Sequence, residues 1–183
     1  MMVQRVRMAG WVFAVMCCAG VFFLISAEPG PEYEPVMQTL ELNEAPDFIL
    51  AMQDGTELTK QDFSGKPLIL NFWTSWCPPC IEEMPELKKF TRDHPDINLI
   101  GVNLTKEEFK KESAFNFIDD HQINFPIALD EDGDLQKVFR IFTIPITVVI
   151  TPDGRIYETF FGPVTAQQLE KKVNALLSEN TAS

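Results

Sequence analysis

A chain of 183 residues, 45% of them hydrophobic, has the material for one globular domain plus an appendage, which excludes general disorder. Nine Gly and thirteen Pro exclude collagen-like or low-complexity character, and four Cys are too few for a disulfide-stapled miniprotein. The net charge of −12 becomes −14 beyond residue 27, because residues 1–27 hold Arg5 and Arg7 and no acid. Such a chain lacks the basic footprint that nucleic acid or anionic lipid headgroups require, so no nucleic-acid partner is expected.

Met8 to Ala27 is an uncharged run of 20 residues. As a helix it would span about 30 Å, the thickness of a bilayer core. Arg5 and Arg7 precede it and Glu28 follows, so the positive-inside rule predicts a single-pass signal-anchor at residues 1–27, with a cytoplasmic N-terminus and an extracytoplasmic remainder. A cleaved signal peptide competes, but its apolar stretch is usually shorter, and a cut after Ala27 would place Ile25 where a small residue is preferred. A buried core helix would need a second domain around it. Cys17 and Cys18 read as small apolar residues; Val15 and Met16 argue against a lipid-modified Cys17. Residues 28–43, rich in Pro and Glu, read as an extended acidic tether, and residues 44–183 as the folded domain.

From Ala45 onward strand-like and helix-like stretches alternate. Phe48–Met52 reads as a strand leading into an Asp54-Gly55 hairpin turn. Leu68–Trp73 is a short apolar run typical of a fully buried strand. Pro79 to Arg92 reads as a helix, with Ile81, Met84, Leu87 and Phe90 at three-residue steps; Pro85 within it is expected to bend it. Ile97–Leu104 is a second buried strand. Lys106–Asp120 reads as an amphipathic helix with Phe109, Phe115 and Ile118 inward, and the charges from Lys106 to Lys111, including Glu107 and Glu108, as its solvated face. A strand at Phe125–Leu129 and a short helix at Asp134–Phe139 follow. Ile146–Thr151 and Arg155–Phe161 form a hairpin around Asp153-Gly154, and Gly162-Pro163 breaks the chain. Thr165 and Gln168 make a capping box for a last helix whose apolar face is Leu169, Val173, Leu176 and Leu177. The order predicts an α/β fold: a mixed sheet with helices on both faces and an N-terminal β-hairpin.

The chemistry sits at Asn71-Phe72-Trp73-Thr74-Ser75-Trp76-Cys77-Pro78-Pro79-Cys80, a buried strand running into Cys-x-x-Cys at a helix start. Sulfurs three residues apart on a first helical turn come within disulfide distance, and the positive N-terminus favours thiolate. Pro78 and Pro79 stiffen the loop, Pro79 where a missing N–H costs nothing. Cys77, nearer the exposed tip, is expected to be the nucleophile, and Cys80, one turn in, the buried resolving thiol. A structural zinc site would need further ligands, and His94 and His121 are poorly placed to supply them, so no metal is expected. A copper-delivery domain has wider Cys spacing. An inert disulfide closing so small a loop would stabilise little. Glu83 follows Cys80 by three residues on the same helix face. If partly desolvated it accepts the proton of Cys80 or holds up the thiol pKa values; otherwise it is solvated surface like Glu82 and Glu86. Trp73 is as readily core as site, whereas Trp76 is more readily the rim of the site.

These residues resemble the thioredoxin-like superfamily, and within it the TlpA/ResA group of membrane-anchored extracytoplasmic thiol-disulfide oxidoreductases, most of all its StoA/ResA-type members. The likeness runs from about Ala45 to Leu177 and is carried by Ala45-Pro46-Asp47-Phe48, Gly65-Lys66-Pro67, Trp76-Cys77-Pro78-Pro79-Cys80, Glu83-Met84-Pro85 and Ile144-Pro145 before Thr147. The resemblance implies a thioredoxin-like fold and a cis Ile144–Pro145 bond opposite Cys77. The edge there would dock an extended substrate segment, with Trp76, Pro78, Ile144 and Pro145 as substrate-binding residues. Many thioredoxins carry a buried Asp below the Cys pair; here Asn71 stands in that place and cannot shuttle protons, which leaves Glu83 as the acid-base candidate.

Together these features predict an enzyme that reduces disulfides in exported proteins through Cys77 and Cys80, with no cofactor beyond that redox-active disulfide. By resemblance, a membrane electron donor of the CcdA type would recharge it, and its substrates would belong to cytochrome c maturation or to spore or envelope biogenesis. The rivals are a net disulfide oxidant of the same fold and a non-catalytic thioredoxin-like binding module. A peroxidase is disfavoured: Thr74 precedes Cys77 by three residues, but the Pro that should precede that Thr is absent.

Overall fold

A computed structural model describes residues 44–180. The apolar run 8–27 with Cys17 and Cys18, the tether 28–43 and residues 181–183 lie outside the described residues. Among the described residues no helix is long and apolar enough to cross a membrane.

Strand β3, Leu68–Trp73, is buried at all six positions because it lies in the middle of a five-stranded sheet. β4 (Asn98–Asn103) runs parallel to it on one side and β6 (Ile146–Ile150) antiparallel on the other. β5 (Ile127–Leu129) and β7 (Ile156–Phe161) complete the order β5-β4-β3-β6-β7. Alternation along β3 divides the core: Ile69 and Trp73 point into one apolar cluster, Leu68, Leu70 and Phe72 into the other. Asn71 stands on the Ile69–Trp73 face, a polar break in an apolar strip, and is fully buried.

Helix α1 (Pro78–Asp93) and helix α4 (Ala166–Asn180) supply Met84, Leu87, Phe90, Leu169, Val173 and Leu176 to the first cluster, joined by Phe117 and Ile118 of α2 (Lys111–Asp120). The short helix α3 (Asp134–Val138) and the N-terminal hairpin of β1 (Ile49–Ala51) and β2 (Glu57–Thr59) cover the second. The hairpin also reaches the β5 edge, where the Gln53 N–H donates to the Ile127 carbonyl at 2.8 Å and Met52 bridges Ala128. This covers backbone that would otherwise be an open sheet edge. α4 opens with the expected capping box: Gln168 Oε1 accepts from the Thr165 N–H at 2.8 Å, and the Gln168 N–H donates back to Thr165 Oγ1 at 3.3 Å.

The architecture is the mixed sheet, hairpin and flanking helices expected from the pattern, with one correction. The segment expected to be a helix from Lys106 is a single 3-10 turn, Thr105–Glu107, and α2 begins only at Lys111. Phe109 is therefore 85% exposed instead of inward, and Ala114 and Phe117 take the buried positions beside Ile118. Glu108, just after that turn, has its carboxylate bonded to Ser75 and Asn103.

Candidate active site

β3 ends at Trp73, and Thr74-Ser75-Trp76 carries the chain over to Cys77, the N-cap of α1. Pro78 and Pro79 occupy the first helical positions, where no N–H is needed. Cys77 and Cys80 form a disulfide with Cα atoms 5.3 Å apart, and Cys77 Sγ also accepts the Cys80 N–H at 3.3 Å. The expected contrast between an exposed tip and a buried partner is slight in this oxidised state: Cys77 is 3% exposed and Cys80 fully buried. Cys77 is covered because it packs into the same apolar cluster as Trp73, Met84 and Ile144. What is open to solvent is the chain around it, Trp76 and Pro78.

Glu83 is not solvated helix surface. It is 2% exposed, while Glu82 beside it faces water. Its Oε1 accepts from Asn71 Nδ2 at 2.8 Å and its Oε2 from the Val164 N–H at 2.9 Å. Asn71 Nδ2 also donates to Thr147 Oγ1 at 3.0 Å, across the antiparallel pair Asn71–Thr147 of β3 and β6. Two donors favour the carboxylate, yet burial in an apolar cluster outweighs them and pushes the Glu83 pKa up to about 7. Asn71 thus orients the acid on the helix above it. Its own Oδ1, with Trp73 Nε1 and Thr74 Oγ1, is buried without a partner. Glu86, also expected at the surface, is half-buried and accepts the Ala166 N–H at 2.9 Å, which fastens α4 to α1.

The Ile144–Pro145 bond is cis, at the entry to β6. The Pro145 carbonyl accepts the Gly162 N–H at 2.9 Å. Trp76 and Ile144 line one shallow depression of about 150 Å³ with Leu104, Ile141, Phe142 and Thr143. Around it Trp76, Phe142 and Phe109 are exposed aromatics, and the Trp76 and Phe109 rings lie 6.2 Å apart. Trp73, by contrast, is wholly core, packed on Phe117 at 5.0 Å. Of the six expected site residues besides Glu83, Cys77, Cys80, Trp76 and Pro78 share one loop and first helical turn, Ile144 lines the depression beside Trp76, and Pro145 follows it at the entry to β6. Among the described residues no group of His, Cys, Asp or Glu is placed to hold a metal ion.

Sequence reasoning missed Glu108. Its Oε1 accepts from the Ser75 N–H at 2.7 Å and from Asn103 Nδ2 at 2.8 Å, and its Oε2 from Ser75 Oγ at 2.6 Å. The neighbouring Glu107 carbonyl accepts Trp76 Nε1 at 3.0 Å. No local pattern signals this, because Ser75, which supplies two of the three donors, lies 33 residues away beyond another strand end. Phe142, 87% exposed, was missed too; a large apolar residue two positions before Ile144-Pro145 was the available sign.

Chemically, a dithiol at a helix N-terminus, a proton-labile acid one turn behind it and an open apolar rim can make and break a disulfide with a second chain. Comparison with known proteins agrees. The AhpC/TSA family pattern matches residues 42–159. Sporulation thiol-disulfide oxidoreductase A of Bacillus subtilis is 37% identical over 126 residues, covering 68% of this chain and 76% of that protein. Thiol-disulfide oxidoreductase ResA of Bacillus subtilis is 25% identical over 175 residues, covering 94% and 93%. The crystal structure of StoA from Bacillus subtilis superposes with a TM-score of 0.65 at 36% identity, covering 70% of this chain and 97% of that one.

Proposed function

The chain belongs to the AhpC/TSA family and is a thiol-disulfide oxidoreductase of the ResA/StoA type, with Cys77–Cys80 as its Cys-x-x-Cys pair; on that premise we propose that it reduces disulfides in exported proteins from an N-terminal membrane anchor. The Cys77 thiolate attacks one sulfur of a substrate disulfide, forms a mixed disulfide and expels the other sulfur as a thiolate. Cys80 loses its proton to Glu83 and attacks the Cys77 sulfur, expelling the second substrate thiolate. The substrate disulfide gains two electrons, its thiolates take up two protons, and the enzyme is left as the Cys77–Cys80 disulfide. A membrane electron donor of the CcdA type returns the two electrons. The substrate segment lies against Trp76, Pro78 and the Thr143–Pro145 edge, where the backbone of Thr143 and Ile144 makes no hydrogen bond to any described residue. The anchor reading rests on the apolar run and the two Arg before it. The name of one relative, sporulation thiol-disulfide oxidoreductase A, supports sporulation proteins as the substrate class.

The observation that carries the reductive direction is Glu83, buried one helical turn after Cys80 with a pKa raised to about 7. A carboxylate in that place disfavours nearby thiolates by charge repulsion, hence disfavours the reduced pair. Strong oxidants of this fold do the reverse and stabilise their reduced form. Equilibration of the protein with glutathione buffers tests the direction. A potential more negative than about −230 mV is expected, and one near −120 mV would make the protein a net oxidant. Reductase activity of the wild type that vanishes in Cys77→Ala tests catalysis itself: a wild type with no such activity would leave a binding module, and activity that survived the substitution would overturn Cys77 as the nucleophile.

A further inference from the structure

The loop that delivers Cys77 is held from outside by a carboxylate with no part in the exchange chemistry. Glu108 accepts three hydrogen bonds, two of them from Ser75, two residues before Cys77. Bonds to an ionised acceptor are roughly twice as strong as neutral ones. The clasp is itself tied to the sheet. Asn103, which donates the third bond, is the last residue of β4 and pairs in register with Trp73; the Leu104 N–H donates to the Trp73 carbonyl at 2.9 Å. Asn103 Oδ1 in turn accepts from Thr105 Oγ1 at 2.9 Å. The local chain gives up helix to make this arrangement. Lys106–Lys110 has helix-compatible composition, yet Lys110 is extended at φ −148° and α2 starts there without a side-chain cap. A solvated Glu on a helix face would have none of these partners.

We propose that Glu108 is a positioning residue for thiol-disulfide exchange: its carboxylate fixes the Ser75-Trp76 loop and so aims Cys77 at the substrate disulfide. This rests on the reading of Cys77 as the attacking thiol. The same clasp sets the rim, since Trp76 is held through its indole N–H by the adjoining Glu107 carbonyl and Phe109 is turned out beside it. Attack on a disulfide depends on approach geometry, and displacement of a reacting group by about 1 Å can cost up to 10²-fold in rate.

Shape and charge separate cleanly at this site. Glu108→Gln keeps an oxygen for the Ser75 N–H and Asn103, and its amide can donate to Ser75 Oγ, whose hydroxyl rotates to accept. Glu108→Ala keeps neither. The test uses the full chain in detergent micelles with Cys17→Ser and Cys18→Ser, so that they do not react, and Cys80→Ser, so that only the first attack is observed. The readouts are the second-order rate constant of mixed-disulfide formation with a disulfide-bonded peptide, at a pH where Cys77 is fully thiolate, and the thermal unfolding midpoint. Glu108→Ala should slow attack about tenfold, with Glu108→Gln within about twofold of the parent. Unchanged attack by Glu108→Ala, whatever its midpoint, overturns the proposal. So does a Gln variant as slow as the Ala variant, which would make charge the cause. If Glu108→Ala does not fold, Ser75→Ala removes only the Ser75 Oγ contact. A rate about two- to threefold below the parent then supports the clasp, and an unchanged one overturns it. Attack on the peptide that persists in Cys77→Ala contradicts the nucleophile reading itself, a result separate from any Glu108 effect.

Discussion

The inner and outer sides of the Cys-x-x-Cys turn each present a glutamate, and the two sit in contrasting surroundings. On the inner side Glu83 is sealed in the cluster under α1, with one donor per oxygen: the Asn71 amide and the Val164 N–H. On the outer side Glu108 is half-buried and holds three donors, all on the loop before Cys77 or the end of β4. Burial raises the first to a pKa near the working pH, where it can take a proton in one step and give it up in another. The second is bonded into the backbone scaffold, where its role is geometric. One reaction thus draws on two glutamates for different physical properties, and exposure rather than residue type decides which does what.

The contrast breaks first at Glu83. Glu83→Gln removes the proton acceptor and should slow Cys80 attack on the mixed disulfide by about 10²–10⁴-fold in single-turnover kinetics. Glu82→Gln, on the exposed face of α1, should change nothing. Equal behaviour of the two variants would reduce Glu83 to a packing residue.

Stability against pH sharpens the same point. The folded Glu83 pKa lies above its unfolded value of 4.5, so between 4.5 and about 7 the folded protein binds more protons than the unfolded chain. Stability contributed by this group is fully present below pH 4.5 and is lost as pH rises through about 7, on the order of 3 kcal/mol in all. Urea unfolding of the oxidised wild type and of oxidised Glu83→Gln should therefore show a difference that grows across this window and is flat above it. A constant difference would mean that Glu83 titrates at the same pH in the folded and the unfolded chain.

Asn71→Leu removes the amide that serves both Glu83 and Thr147 and should cost about 1–3 kcal/mol, because a buried acceptor loses its donor. Loss of that hydrogen bond should also move the Glu83 pKa further up, visible as a later inflection in the stability profile. The smallest effect belongs to the rim. Phe142→Ser should change stability by less than about 0.5 kcal/mol, since the ring is almost fully exposed, while raising KM for a protein disulfide more than for a small one. An equal effect on both substrates would place Phe142 outside the docking surface.

How much was legible beforehand follows the same division. The strand into Cys-x-x-Cys, the helix after it and the capping box at Thr165 are local patterns, and each is where the spacing put it. Asn71 was singled out by resemblance, as the residue standing where many thioredoxins carry a buried Asp. That Glu83 is its partner depends on how α1 packs over β3, twelve residues back, and that the second donor to Glu83 is the backbone at Val164 depends on a contact across 81 residues; neither leaves a local mark. Glu108 was read as helix surface because Lys106–Lys111 has the charge alternation of one; the contact that overrides local propensity is tertiary. Cys77 was expected at an exposed tip on its position in the helix alone, and the packing of Ile144 and Trp73 into its cluster covers it.

The most direct test of the account is the pH dependence of mixed-disulfide resolution, followed by stopped-flow mixing of the reduced full chain, carrying Cys17→Ser and Cys18→Ser, with a chromogenic disulfide. In the wild type the rate should rise through an inflection near pH 7, as Glu83 becomes able to accept the Cys80 proton, and Glu83→Gln should lose that inflection and keep only the later rise from Cys80 ionisation. Superimposable profiles for the two proteins would contradict the assignment of Glu83 as the proton acceptor.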